Sequence, residues 1–451
     1  MLRNRLGKLV AAMSAGIVAL PLLCAPALAQ SFIRDAEVEQ TIARLSTPIF
    51  KAAGIDPTSI DMFLLNSRDL NAFVFAGNNM VLHTGLITRL ETPEGLIGVI
   101  AHETGHITGN HLARRQVAQE NLRGPAAAGV LLSILAGAAS GNAGVAAGGL
   151  LGSGGTAQRL LLAFNRAEEA AADQAGATYL ERSGIDPAGL METLKIFKGQ
   201  EIFAAGRLDP YARTHPLSSE RLNLLQQRIQ NTTAPGGKVD AETKYWFDRM
   251  RAKLIAFLDQ PNRTLRQLDE NDESEITLMK RAIALHRLPA PDEALATMDK
   301  LIALRPEDPY YWELKGQILF ESGRAAAAVD PLRKAVALAP QEPLITGALG
   351  RALLSLNDPA LDAEALTALE KGARGRPEVV ILRDLATAYA RAGREGEAAL
   401  ATAERFMLQG GMRDSLRHAN HALEKLPTGS PGWFKADDIR TTAERALNGK
   451  G

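Results

Sequence analysis

Three residues raise the question of chemistry: His102, Glu103 and His106, in the stretch AHETGHITGNH from Ala101 to His111. Around them Leu96, Val99, Ile100 and Ile107 recur at helical spacing. On a helix, His102 and His106 stand one turn apart on one face, where two imidazoles can share a zinc ion. Glu103 lies one step round and can take a proton from a water polarised by that ion without being a ligand. The pattern also occurs by chance in unrelated helices, and a catalytic zinc wants a third protein ligand. Gly105 costs such a helix about 1 kcal/mol relative to Ala. A neighbour packed very close to its backbone is therefore expected.

Two sources of a third ligand exist. In H-E-x-x-H-x-x-G-x-x-H, Gly109 falls in place, but the last position is Leu112. His111 comes one residue early, and one residue of helix is about 100° of rotation, so it points elsewhere. The other source is FNRAEEAAADQAGATYL (Phe164–Leu180), a helical stretch with Glu168, Glu169 and Asp173. Glu169 and Asp173 are four apart and share a face. Glu169 could complete the site, and Asp173 could accept a hydrogen bond from a ligand imidazole. By spacing alone, a solvated acidic face fits these carboxylates equally well. His83 and His111 read as structural.

H-E-x-x-H followed by R-x-x-E-x-x-A-D, here Arg166, Glu169, Ala172 and Asp173, resembles the CAAX-prenyl-protease/HtpX-like family of zinc metallopeptidases. Asn165 stands where that family usually has Ser. LNAFVFAGNNMVLHTGLI (Leu70–Ile87) is similar to its N-A-F segment, and THPLSSER (Thr214–Arg221) to its T-H-P-x-x-x-x-R stretch. The resemblance implies one zinc ion per chain on His102, His106 and Glu169, rather than Glu168, with Glu103 as base and Asp173 behind the ligands. It brings His215 and Arg221 near the metal to steady the oxyanion, or has His215 fill the fourth position and hold the site latent. Phe73–Phe75 and Met80–Leu82 read as a hairpin around residues 76–79. Its edge could pair with an extended substrate, which makes Asn71, Ala72 and Phe73 substrate-binding candidates.

The elements that must position these residues suggest a mainly α chain. A gluzincin-like α+β metallopeptidase domain with a small β-sheet is expected over 30–230, a linker over 231–238, and an all-α tetratricopeptide-repeat solenoid over 239–451. Ala282, Gly316 and Gly350 are 34 residues apart, and Ala386 follows after 36; Pro306 and Pro340 repeat the 34. About four units fit over 276–410, with a Pro starting each repeat. The stack offers a concave face for a peptide or protein. His286, His418 and His421, within it, read as surface residues.

The chain has 451 residues and net charge zero, with no basic excess to suggest nucleic acid. Residues 1–29 read as a secretory signal: Arg3, Arg5 and Lys8, an apolar run holding the only cysteine, Cys24, and an Ala27-Leu28-Ala29 exit. This favours the periplasm. The Ala/Gly-dense stretch 124–155 is broken by Gly and Asn near 141–142, so its longest clean run is shorter than the roughly 20 residues of a span; two short helices are expected, in core packing, membrane contact or a lid. Together with the resemblance, these features lead to a periplasmic zinc endopeptidase that cleaves misfolded or misassembled envelope proteins. Its repeats would dock clients or outer-membrane assembly machinery. The alternative is a chaperone or adaptor scaffold with a structural or latent zinc site.

Overall fold

A computed structural model describes residues 32–75, 78–111, 155–203, 215, 219–232 and 236–448. The expected signal and all of 124–154 lie outside the described residues, as do 76–77 and the neighbours of His215.

Four short strands form the sheet: β1 (Phe32–Ile33), β2 (Asp61–Leu65), β3 (Ala72–Phe75) and β4 (Asn79–His83), in the order β1-β2-β4-β3. β2 and β4 are parallel; the outer pairs are antiparallel. The expected hairpin is β3–β4, with Ala72 opposite Leu82 and Phe75 opposite Asn79. Alternation sends Leu64, Ala72, Met80 and Leu82 inward to one core. There they meet α1 (Ala36–Ala52) and α3 (Pro93–Thr108), the latter following the short α2 (Thr84–Arg89).

The helix α3 carries AHETGH and is buried over most of its length. Thr92 caps its start, accepting from the Gly95 N–H, and Pro93 takes the first turn, where no donor is missed. α4 (Gly155–Arg182) crosses it, and α5 (Ala188–Phe203) packs alongside. Small residues bring these backbones together. A Cβ on Gly105 would lie 2.8 Å from the Ala172 carbonyl oxygen, and one on Gly98 would lie 2.7 Å from Leu190 Cα. The close neighbour expected at Gly105 is therefore α4.

After α6 (Ser219–Asn231), the stretch 236–239 is held by a bridge between Ile185 and Gly237 and a bond from the Val239 N–H to Glu94. α7 (Ala241–Leu258) gives Phe247, Met250 and Leu254 to the sheet's core and Ala256 to the next cluster. Beyond it run five helix pairs among the described residues, beginning at Glu275, Pro309, Pro343, Val379 and Met412. Gly316 and Gly350 sit where a Cβ would strike Leu332 and Leu369 of the paired helix. Pro309 and Pro343 start the second and third pairs, and Pro291 starts the second helix of the first pair. Pro306 and Pro340, expected to end one repeat and start the next, lie in the turns just before those helices.

Candidate active site

α3 and α4 bring the chemistry together. His102, His106, Glu169 and His215 are all buried, and one ligating atom from each lies within 4.8 Å of the others. His102 Nε2 is 3.2 Å from His106 Nε2 and 3.3 Å from Glu169 Oε2. His106 Nε2 is 3.4 Å from Glu169 Oε1. His215 reaches in from outside both helices, with Nδ1 3.0 Å from Glu169 Oε2 and Nε2 3.3 Å from Glu103 Oε1. Two imidazole nitrogens and a carboxylate around one point, with a second carboxylate beside them, suit a divalent ion of borderline softness.

The surroundings hold these groups in place. His102 Nδ1 is 2.9 Å from Asp173 Oδ1. Donation there keeps the proton off Nε2, the nitrogen that faces the cluster. Arg221 donates to both Asp173 oxygens, at 2.7 and 2.8 Å, and its Nη1 is 3.2 Å from Glu169 Oε2. An oxyanion role was expected of Arg221. The contacts with the two carboxylates anchor α6 to α4 behind the site. α6 packs against α4 along this face.

Electrostatics follow from burial and these pairs. Burial alone would lower the His102 pKa, but hydrogen bonds to the Asp173 and Glu169 carboxylates outweigh it and raise the value to about 10. Burial lowers His106 to about 3, Glu169's hydrogen bond notwithstanding, so its imidazole is neutral. Burial pushes Glu169 up, yet His215, His102 and His106 hold it well below the usual carboxylate range. Asp173 is likewise lowered, by His102 and Arg221 against burial.

His111, read as pointing elsewhere, turns back to the site. Its Nδ1 is 2.9 Å from His106 Nδ1, and its ring is buried. One residue of rotation would turn it away only on a helix that continued. α3 ends at Thr108, and Asn110 takes a left-handed φ of 51°, which reverses the chain. The Gly109-Asn110 pair was the available signal, since Gly and Asn mark helix ends. His111 still lies outside the four-residue cluster.

The edge strand lies beside α3. Asn71 accepts from the His83 N–H through its backbone, so antiparallel alternation turns the peptide groups of Ala72 and Val74 to the side of β3 that no described strand pairs with. The Asn71 side chain is buried, with Oδ1 lacking a hydrogen bond. Phe73 is partly exposed and meets the buried His83 ring edge-on. Glu168 is buried too, but it is not in the cluster. In the repeats, His286 pairs with Glu321, and His418 stacks on Phe406.

The family model described as peptidase family M48 matches residues 33–229. The chain is 28% identical over 403 residues to a beta-barrel assembly-enhancing protease of Yersinia pestis, spanning 88% of this chain and 82% of that protein. It is 29% identical over 310 residues to the protein of that description from Escherichia coli (strain K12), spanning 67% of this chain and 62% of the relative. Among solved structures, MamA overlaps 36% of this chain and 98% of its own, at 20% identity and a TM-score of 0.31.

Proposed function

We propose, for a chain whose residues 33–229 form a peptidase family M48 domain, a zinc-dependent endopeptidase acting on unfolded or misassembled proteins of the bacterial envelope. The observation that carries it is the meeting of His102, His106 and Glu169 around one point, with Glu103 on the same helix turn. These three would hold the ion. When bound, it would polarise the scissile carbonyl and acidify a water.

The chain's own groups do the rest. Glu103 takes the proton from the attacking water and returns it to the leaving amine. Asp173 and Arg221 fix His102 and Glu169 in the ligating orientation. The edge of β3, through the peptide groups of Ala72 and Val74, pairs with an extended substrate, which gives grip with little sequence demand. Asn71 and Phe73 border that edge. The names of the relatives support an envelope setting, the periplasm, and docking of clients or outer-membrane assembly machinery on the repeats. The expected signal segment supports the same setting.

A second reading rests on His215. Its contacts with Glu169 and Glu103 would close the site with a fourth protein group, the pattern of structural or latent zinc. Two variants separate the readings. Glu103→Gln should abolish cleavage of an unfolded protein while zinc is retained, and residual cleavage equal to wild type would remove the enzyme reading. His215→Ala should raise cleavage if the ring blocks the site and lower it if the ring assists.

A further inference from the structure

The mechanism assigns a partner behind His102 but none behind His106. We propose that His111 is the positioning residue for His106: its Nδ1 accepts the His106 Nδ1 proton and so aims the Nε2 lone pair at the metal. The inference rests on the metal-site reading above. The geometry carries it. The two Nδ1 atoms are 2.9 Å apart, a hydrogen-bond distance, and both rings are buried. His106 Nε2 belongs to the inward-facing set, so its proton must sit on Nδ1 and be donated outward. The acceptor is then a neutral imidazole protonated on Nε2. A ligating histidine nearly always donates its second nitrogen to some acceptor. Here one ligand, His102, has a carboxylate and the other an imidazole.

The backbone is built to deliver that ring. Asn110 turns left-handed at φ 51°, folding His111 back over the helix end. Gly109 has an ordinary helical φ of −68°, so its backbone does not require glycine. Space does: a Cβ there would lie 2.3 Å from His111 Nε2 and 2.7 Å from Cδ2. Both the turn and the missing side chain make room for one imidazole to reach His106.

The test is zinc affinity of the full chain, measured by competition with a chromophoric chelator. His111→Leu fills the space but cannot accept, and should weaken binding about 10- to 100-fold. His111→Asn puts its amide oxygen close to the position of Nδ1 and should recover affinity to within a few-fold of wild type. Gly109→Ala should lose affinity as His111→Leu does, although His111 is intact. Melting of the chelator-treated proteins tells misfolding from lost aim. The expected result is three folded variants whose zinc affinities divide by acceptor. Equal affinity in His111→Leu and wild type would overturn the proposal, as would an equal loss in His111→Asn and His111→Leu. If wild type itself binds no zinc and His102→Ala changes nothing, the metal-site reading has failed instead.

Discussion

At the residue scale, Arg221 carries the largest consequence. Its guanidinium is 2% exposed and neutralises two buried carboxylates, Asp173 and Glu169. Removing it leaves both carboxylates buried without their shared cation. Losing one partner of a buried pair costs about 3–5 kcal/mol. Arg221→Leu is therefore expected to lower the melting temperature of chelator-treated protein markedly. Bound zinc should return part of the loss, since an ion also neutralises Glu169. A chelator-treated variant that melts with wild type would contradict this account. The residue also illustrates what a sequence withholds. His102, Glu103 and His106 were legible because a helix fixes their relative directions. Glu169 and Asp173 shared a face for the same reason, but the metal had to come from a second helix that spacing does not locate. Arg221 and His111 were visible as residues near a motif. The direction of each side chain depends on packing and on one left-handed residue, neither of which is written in spacing.

At the element scale, the site exists because α3 and α4 cross closely. The Cβ missing from Gly105 would sit 2.8 Å from the Ala172 carbonyl oxygen and 3.0 Å from Ala172 Cα, both backbone atoms. A Cβ added to Gly176 would lie 3.1 Å from Ala101 C and from the His102 N, so the close approach is mutual. Gly105→Ala would gain about 1 kcal/mol of helix propensity and lose about 1–3 kcal/mol to overpacking against rigid backbone. The helices must part by some tenths of an ångström, carrying Glu169 away from the imidazoles. Weaker zinc binding is expected even if the melting point barely moves, and unchanged affinity would count against backbone contact as the setting for the ligands. Gly176→Ala, with its longer contacts, should show the smaller effect. The need for a close neighbour at Gly105 was readable from its cost in a helix. Which helix supplies it was not, because residues 112–154 separate α3 from α4 in the chain.

At the scale of the whole molecule, the repeats are not appended to the catalytic domain but ion-paired into it. Arg249 of α7 is fully buried, donating to Glu37 of α1 at 2.7 Å and to Asp308, which caps the second helix pair. Lys253 pairs with Asp35 at 2.8 Å and Glu37 at 3.2 Å. Arg34 reaches the Arg376 carbonyl, and Ala36 packs against Ala335 and Ile345. The start of α1 thus fills part of the repeats' inner face, beside a cavity of about 370 Å³ that Glu313 and Lys253 both line. Carboxylates outnumber cations here, and one titration should report it. Burial pushes Glu313 from 4.5 to about 8, with Asp35, Glu37 and Glu342 adding to the rise and Lys253 opposing it. A carboxyl raised on folding favours the folded state below its unfolded pKa, and that contribution is lost as pH climbs through the folded value. Between about pH 4.5 and 8, wild type should therefore lose stability relative to Glu313→Gln, by at most about 1.4 kcal/mol per pH unit. Denaturant melts of both proteins at pH 5, 6.5 and 8 measure the gap. A gap that stays constant over that range, or narrows in the variant's disfavour, would mean that Glu313 is ionised in the fold. Lys253 would then face three carboxylates, Asp35, Glu37 and Glu313.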